Sequence, residues 1–384
     1  MLHSRPLPPL HRRHWLQASA LTGLALATPL RAQPRSAAKA KTDEALCIAQ
    51  VADMSPAQQD ISRDFVIGSR AAWQAFNAQG GLHGQPVQHW VLETDGSAAS
   101  LQAAWHQVQH RGGCVALSGC VGHPAAAQLG EWQAQPSDNP LAQIAPWLHH
   151  RTASAASDGV FDIFSDYPAQ IRHALQTMLI AGASDMGVVY GNPRLEQQSA
   201  PAINQVAQAM RLRTHTLADG QPSRISPPQP LILFVGGTPE LHAFTRQLVL
   251  PPGRQCYVLA LADVNLQVLA QLGALPRHVS VIATQTVPLL SASLPVVRAY
   301  RQALARLYDE APTAQGLAGF IAARYSAQLL ASIPDAPSRS NVLAALRQRQ
   351  NANVGGFRVT FQAQKRSSSF VTQTMLTADG RIVG

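Results

Sequence analysis

The chain has few charged side chains and very few lysines. Charged residues make up 13% of its 384 residues and apolar residues 46%. This composition excludes an intrinsically disordered chain and predicts a well-buried globular protein, long enough for two domains. Lysine occurs only at Lys39, Lys41 and Lys365, and no arginine run is interleaved with aromatic residues. The sequence therefore indicates no nucleic-acid partner.

The common catalytic and metal-binding motifs are also missing. No GxSxG, HExxH or P-loop sequence occurs, and no GxGxxG lies at a strand–helix junction. His149 and His150 are adjacent, so their side chains point apart and no third ligand accompanies them. The sequence predicts neither an enzyme nor a bound metal or cofactor.

Cysteine is scarce too. The four cysteines are Cys47, Cys114, Cys120 and Cys256; no CxxC occurs and their spacings fit no zinc site. In an oxidising compartment some could pair, and the alternative is four small buried thiols.

The first 32 residues have the pattern of an export signal. A basic segment is followed by the apolar run "LQASALTGLALATPL" and by a small residue before Gln33. Arg12–Arg13 followed by Trp15 resembles a twin-arginine signal, and an ordinary secretory signal is the alternative. Removal of this segment lowers the net charge from +9 to +5, because it holds four arginines and no acid. Residues 33–44 are polar and are predicted to be a flexible lead-in.

The stretch "FNAQGGLHGQPVQHWVLETD", residues 76–95, joins a helix to a strand through a tight turn. Apolar residues at helical spacing precede it, and Gly80 stands where a left-handed helix cap is expected. Gly84 and Pro86 form the turn, and "VQHWVLETD" alternates as a strand does. With the buried run "ALCIAQVADM" before the helix, this is a strand–helix–strand crossover of a parallel sheet.

The same alternation continues along most of the chain. We predict strands at "CVALSG", "LAQIAP", "VFDIFS", "DMGVVYG", "PLILFVGG", "QCYVLALA" and "HVSVIATQ", with helices between most of them. "VFDIFS" is assigned to the second lobe, and "GGFRVTFQ" is predicted to pair antiparallel with the run starting at "SSFVTQ". Two doubly wound α/β lobes fit this order best.

The order of parts resembles the type I periplasmic binding proteins, specifically the leucine/isoleucine/valine-binding receptors of ABC transporters. Five segments carry the resemblance: "AWQAFNAQGGLHGQPVQHWVLETDGS", "CVALSGCVGHPAAAQL", "HVSVIATQTVPLLSASLPVVRAYRQAL", "GLAGFIAARYSAQLLAS" and "GGFRVTFQ". It implies two parallel-sheet lobes joined by a three-segment hinge, with a ligand held in the cleft. The lobes are expected at 45–158 plus 288–352 and at 159–287 plus 353–384.

Ligands of open parallel sheets bind beyond the carboxyl ends of the strands, and the candidate site follows from that rule. We predict that the cleft is lined by Gly122, His123, Trp147, Tyr167, Thr238 and Asp263. Asp263 would accept from an ammonium group, and backbone N–H groups near Gly122 could bind a carboxylate. For Trp147 the alternative is packing between the lobes, and for His123 it is a solvated loop position.

The loop "VGHPAAA" lacks the hydroxyl residue that the family places there, so leucine is not the expected ligand. Two functions remain open. One is a periplasmic receptor that delivers an amino acid or related small polar or carboxylate solute to an ABC permease in the inner membrane. The other is an accessory or sensory protein that presents its state to a sensor. Because the first and third strands should be neighbours, Cys47 and Cys114 should lie side by side, although parallel strands often hold such a pair in poor geometry for a disulfide.

Overall fold

The computed structural model describes residues 45–150, 158–179, 184–217, 225–348, 350–361 and 370–384. The predicted signal at 1–32 and lead-in at 33–44 lie outside these residues. The strands, in chain order, are β1 (Cys47–Asp53), β2 (Gln88–Thr94), β3 (Cys114–Ser118), β4 (Ala142–Ile144), β5 (Val160–Phe161), β6 (Asp185–Tyr190), β7 (Arg213–Thr216), β8 (Leu231–Val235), β9 (Cys256–Ala260), β10 (Val279–Gln285), β11 (Ala352–Val354), β12 (Phe357–Val359), β13 (Thr372–Leu376) and β14 (Ile382–Val383).

The helices are α1 (Gln59–Ala78), α2 (Ala98–His110), α3 (His123–Gln133), α4 (Tyr167–Leu179), α5 (Pro193–Ala209), α6 (Thr238–Gln247), α7 (Leu266–Gln271), α8 (Pro295–Leu307), α9 (Ala314–Ala331) and α10 (Arg339–Arg347). None of the helices in the described part of the chain is long and apolar enough to cross a membrane.

The first lobe is built on a five-stranded parallel sheet in the order β2-β1-β3-β4-β5. One face carries a cluster that includes α1, α8 and α9; the other carries a cluster that includes α2 and α3. β1 and β3 are buried along their whole length because helices cover both faces, which is why they are mostly apolar and do not alternate.

The second lobe is built on a seven-stranded sheet in the order β14-β13-β10-β9-β8-β6-β7. Its parallel core is β10-β9-β8-β6-β7, and β13 and β14 add antiparallel edges. Separate apolar clusters cover its two faces. The predicted fold, with two doubly wound α/β lobes, is confirmed.

Two details of the predicted lobes are wrong. β5, assigned to the second lobe, pairs with β4 and therefore ends the first sheet. β12, assigned with residues 353–384 to the second lobe, pairs with β11 rather than with β13, and this hairpin packs into the first-lobe cluster. The physical reason is the turn Gly355–Gly356, whose positive φ values of 57° and 98° let the chain reverse within two residues.

The turn between α1 and β2 has the predicted geometry. Gly80 and Gly81 have φ values of 105° and 65°, and the N–H of Gly81 donates to the carbonyl of Phe76, which satisfies the end of α1. Gly84, with φ of 82°, lies between Leu82 and Gln85, which bridge the two sides of the turn. This turn sets β2 in register beside β1.

Helix α1 crosses α9 at very short range. A Cβ atom on Gly68 would lie 1.8 Å from the carbonyl oxygen of Gly316, and one on Gly319 would lie 1.9 Å from the carbonyl oxygen of Phe65. The Ser69 hydroxyl donates to the carbonyl of Gly319 at the same crossing. Residues without a side chain are therefore required where the two backbones meet.

Candidate functional site

The central feature between the lobes is a hydrogen bond from Tyr167 to Asp263. Tyr167 begins α4, Asp263 follows β9, and the phenolic O–H donates to Oδ2 of Asp263 over 2.6 Å. Both side chains are buried. Burial, and then the Asp263 carboxylate, raise the pKa of Tyr167 well above its usual value, so the phenol stays protonated and keeps donating.

Three histidines from the first lobe surround the Tyr167 ring. His123, the first residue of α3, lies nearly parallel to it, with ring centroids 6.1 Å apart and an interplanar angle of 6°. His149 and His150, which follow β4, lie 5.9 and 6.5 Å from it. Burial lowers the pKa of His123 to about 4, although Asp263 opposes the shift, so this ring is neutral at pH 7.

His149 is fixed in one tautomer by its own hydrogen bond. Its Nδ1 donates to the backbone carbonyl of Ser165 over 2.8 Å. In the neutral ring Nε2 is then an acceptor, and this buried atom has no hydrogen-bond partner among the described residues. His149 therefore presents an unused acceptor beside Tyr167.

Further buried polar atoms near this pair also lack partners in the described part of the chain. They are Oδ1 of Asp263, Nε2 of His123 and Nε1 of Trp147. A buried polar group without a partner costs about 1–3 kcal/mol, so native proteins keep few of them. Together with His149 these atoms offer an unused carboxylate oxygen, imidazole nitrogens and an indole N–H in one region.

Trp147 packs inside the first lobe. Its ring lies 5.7 Å from Phe65, 5.3 Å from Phe164 and 4.5 Å from His149, and only 2% of the residue is exposed. It belongs to the α1/α9 apolar cluster, so it supports His149 from behind. The sequence predicted either a ligand wall or packing between the lobes; in the structure the ring packs against Phe65 and Phe164 of this cluster and against His149.

Gly122 lets the loop before α3 approach β1. Its φ is 94°, and a Cβ atom there would lie 2.3 Å from the Cβ of Asp53. The preceding residue, Val121, forms a β-bridge with Ala52. The backbone N–H of His123 donates to the side-chain oxygen of Gln58 over 3.3 Å. A larger residue at 122 would therefore require either Asp53 or the loop that carries His123 to shift.

Thr238 lies apart from the histidines and joins the two lobes. Its hydroxyl donates to Oδ2 of Asp60 in α1 over 2.5 Å and accepts from the N–H of Asn265. Asn265 in turn donates its amide to Asp64, 2.8 Å away. Burial raises the pKa of both carboxyl groups, against the lowering effect of these hydrogen bonds.

A cavity of about 880 Å³ opens beside this contact. Residues of α1 line one side of it and residues of α6 and α7 line the other, including Asp60, Asp64, Thr238 and His242. Of the six predicted site residues only Thr238 reaches it. The structure thus brings His123, Tyr167 and Asp263 together, places Trp147 and Gly122 behind them, and places Thr238 at a separate contact between the lobes.

Sequence reasoning missed Asp60, Asp64 and Asn265, and it did not include His149 in the predicted site. The signal for the two acids is present in the sequence, because they lie four residues apart at the start of an amphipathic helix and therefore share one face. The part of the chain that is described holds no group of three or more His, Cys, Asp or Glu side chains placed to bind a metal ion.

Comparison with known proteins agrees with this architecture. The family model described as "Periplasmic binding protein" matches residues 46–222. An extracellular ligand-binding receptor from Verminephrobacter eiseniae has a TM-score of 0.76 at 15% identity, over 88% of this chain and 100% of that one. No curated protein has a matching sequence.

Two further solved structures carry more specific descriptions. A possible leucine/isoleucine/valine-binding protein from Rhodopirellula baltica has a TM-score of 0.71 at 20% identity, over 89% of this chain and 96% of that one. A branched-chain amino acid substrate-binding protein from Streptococcus pneumoniae, solved with isoleucine, has a TM-score of 0.65 at 13% identity, over 88% and 97%. The chain has the fold of the type I periplasmic binding proteins, and the resemblance predicted from the sequence is confirmed.

Proposed function

We propose that this protein is the solute-binding receptor of an ABC importer and that it holds an amino acid, or a related small polar or carboxylate solute, between its lobes. The family match and the fold support a binding protein. The permease in the inner membrane would be its partner, and the periplasm its compartment.

The observation that carries the proposal is the group of unpaired buried atoms around Tyr167. Oδ1 of Asp263 and Nε2 of His149 are acceptors without donors. A ligand ammonium or amide N–H would supply the missing donors, and the positive end of α3 beside Gly122 would favour a carboxylate. A zwitterion satisfies both requirements, whereas a sugar would call for more planar polar side chains.

A thermal-shift screen of amino acids, amides, carboxylates and aromatic acids tests the proposal, because a ligand that binds only the folded protein raises its melting temperature. The best compound is then titrated by calorimetry into the parent, Asp263→Asn and a control, Asp185→Asn. Asp185 is a partly exposed acid on β6, paired with Arg213 at 2.8 Å. Asp263→Asn should weaken binding at least about tenfold, the scale of one lost charged hydrogen bond, and Asp185→Asn should not.

An accessory or sensory role is the second candidate. The stacked His123, Tyr167 and His149 rings favour it, because they occupy the space beyond the strand ends with the protein's own side chains. A full screen without any compound that raises the melting temperature would support this role over transport.

A further inference from the structure

Cys47 and Cys114 are the first residues of two adjacent parallel strands. They are direct Cα partners in the register of β1 and β3. Neighbouring strands lie about 4.8 Å apart, and disulfides join Cα atoms about 4.4–6.8 Å apart. The two backbones are therefore already close enough to be bridged.

Both side chains point to the same face of the sheet. Cys47 and Cys114 belong to the apolar cluster under α2 and α3. The register shifts directly after them, since Ile48 pairs with Ala116 and Val115 is left over. Such a bulge increases the local twist and re-aims the adjacent side chains, so the two cysteines do not have the relative orientation of a regular parallel pair.

We propose that Cys47 and Cys114 form a disulfide when the protein folds in the presence of a disulfide oxidant such as glutathione disulfide. The two thiols are free in this structure. The bond would tie the amino ends of β1 and β3, at the end of the sheet opposite the candidate cleft, and it would not alter solute binding.

In the folded protein Cys114 is the more acidic thiol of the pair. Its interaction with Cys47, followed by nearby Arg339, lowers its pKa against the effect of burial. Burial instead raises the pKa of Cys120 to about 12 and that of Cys256 to about 11. The Nε–H of Arg339 also donates to the Cys114 carbonyl over 2.9 Å, so the guanidinium is held beside this residue.

The disulfide forms by two steps of thiol–disulfide exchange. The Cys114 thiolate attacks one sulfur of glutathione disulfide, forms a mixed disulfide and expels one glutathione thiolate. Cys47 then loses its proton and attacks the Cys114 sulfur, which expels the second glutathione. Two protein thiols are oxidised to one disulfide and one glutathione disulfide is reduced to two glutathiones.

Peptide mapping after refolding in a buffer of reduced and oxidised glutathione tests the proposal. Cleavage after Lys and Arg puts Cys47 in residues 42–63, Cys114 and Cys120 in residues 112–151, and Cys256 in residues 255–277. We expect a non-reduced species joining 42–63 to 112–151, which disappears on reduction. We also expect the oxidised protein to melt about 5 °C higher than the reduced protein, because a loop of this length is closed.

Single substitutions assign the bond. Cys114→Ala should abolish the linked peptide, while Cys120→Ala and Cys256→Ala should leave it in place. Peptide mapping of the parent protein alone shows whether the linked species forms, even if a variant fails to fold. Absence of the 42–63/112–151 species from the refolded parent, or its loss in Cys120→Ala but not in Cys114→Ala, would overturn the proposal.

Discussion

At the scale of single residues, Gly122 fixes the start of α3 and therefore the position of His123. Gly122→Ala should destabilise the protein by more than the ordinary cost of a positive φ, which is about 1–2 kcal/mol, because the new methyl group would overlap the Asp53 side chain. Gly84→Ala is the matched control, since Gly84 has a similar φ of 82° and no atom near its Cβ position. Urea unfolding of the two variants measures the difference. If both variants lost the same unfolding free energy, the contact between a methyl group at position 122 and Asp53 would have no energetic cost.

His123 should make stability depend on pH. Its pKa of about 4 in the folded protein is below the value of about 6.5 expected when unfolded. The unfolded chain therefore binds more protons between these values, and stability falls as the pH drops from 6.5 to 4, by about 3 kcal/mol from this residue.

The groups facing His123 are Asp263, His149, His150 and Arg194, and Asp263 alone among them favours its protonation. Urea unfolding at pH 7 and pH 4.5, in the parent and in His123→Asn, measures how much His123 contributes to the pH dependence of the unfolding free energy. The parent should lose more stability than the variant on acidification. The same loss in both proteins would show that His123 does not remain neutral in the folded state.

The candidate site was only partly predictable from individual residues. His123, Tyr167 and Asp263 could be found because each lies just beyond a strand in an open parallel sheet. Asp60 and Asp64 could not be found by that rule, because they belong to a helix and reach the other lobe only after the chain has folded. The role of Trp147 depends on its neighbours Phe65 and Phe164, which are distant in sequence and which no local pattern connects to it.

At the scale of elements, the crossing of α1 and α9 depends on glycines. Glycine inside a helix usually costs about 0.5–1 kcal/mol relative to alanine, so an unhindered Gly→Ala change would stabilise the protein. Gly68→Ala and Gly319→Ala should instead destabilise it by about 3 kcal/mol or more, because each methyl group meets the backbone of the other helix.

Gln74→Ala is the control for this experiment, since Gln74 is an exposed residue of α1. Denaturant unfolding should show almost no change for Gln74→Ala. If Gly68→Ala were as stable as the parent, the helices would have room to separate and the close crossing would not be required.

The succession of strands and helices was predictable because buried strands and amphipathic helices have different periods. Pairing was less predictable, since β5 is only two residues long and its sequence does not say which sheet it joins. The sequence of the β11–β12 hairpin, in contrast, contains a local signal for its pairing. Two residues, Gly355 and Gly356, separate two short runs in which apolar and polar residues alternate, which is a strong local indication of a tight hairpin.

At the scale of the whole molecule, the lobes are joined by hydrogen bonds that involve the half-buried acids Asp60 and Asp64. Thr238→Ala would remove the donor to Oδ2 of Asp60, whose Oδ1 already lacks a partner among the described residues. We expect this change to favour separation of the lobes and to weaken solute binding about tenfold or more, the effect of losing one hydrogen bond to a charged group.

Thr245→Ala is a suitable control for Thr238→Ala. Thr245 is a buried threonine of the same helix, and within the described residues its hydroxyl donates only to the carbonyl of His242 in that helix. Calorimetric titration with the best compound of the screen compares the two variants. Equal affinities would mean that the Thr238–Asp60 contact is not coupled to solute binding.

Small-angle X-ray scattering of the protein alone, and saturated with the best compound of the screen, tests most directly whether a solute is held between lobes that close around it. Hinge closure brings the lobes together, so the radius of gyration should be smaller with the compound than without it. At the same compound concentration, the radius of gyration of Asp263→Asn should decrease less than that of the parent. An unchanged radius of gyration at confirmed saturation would contradict closure around a solute as the way this protein works.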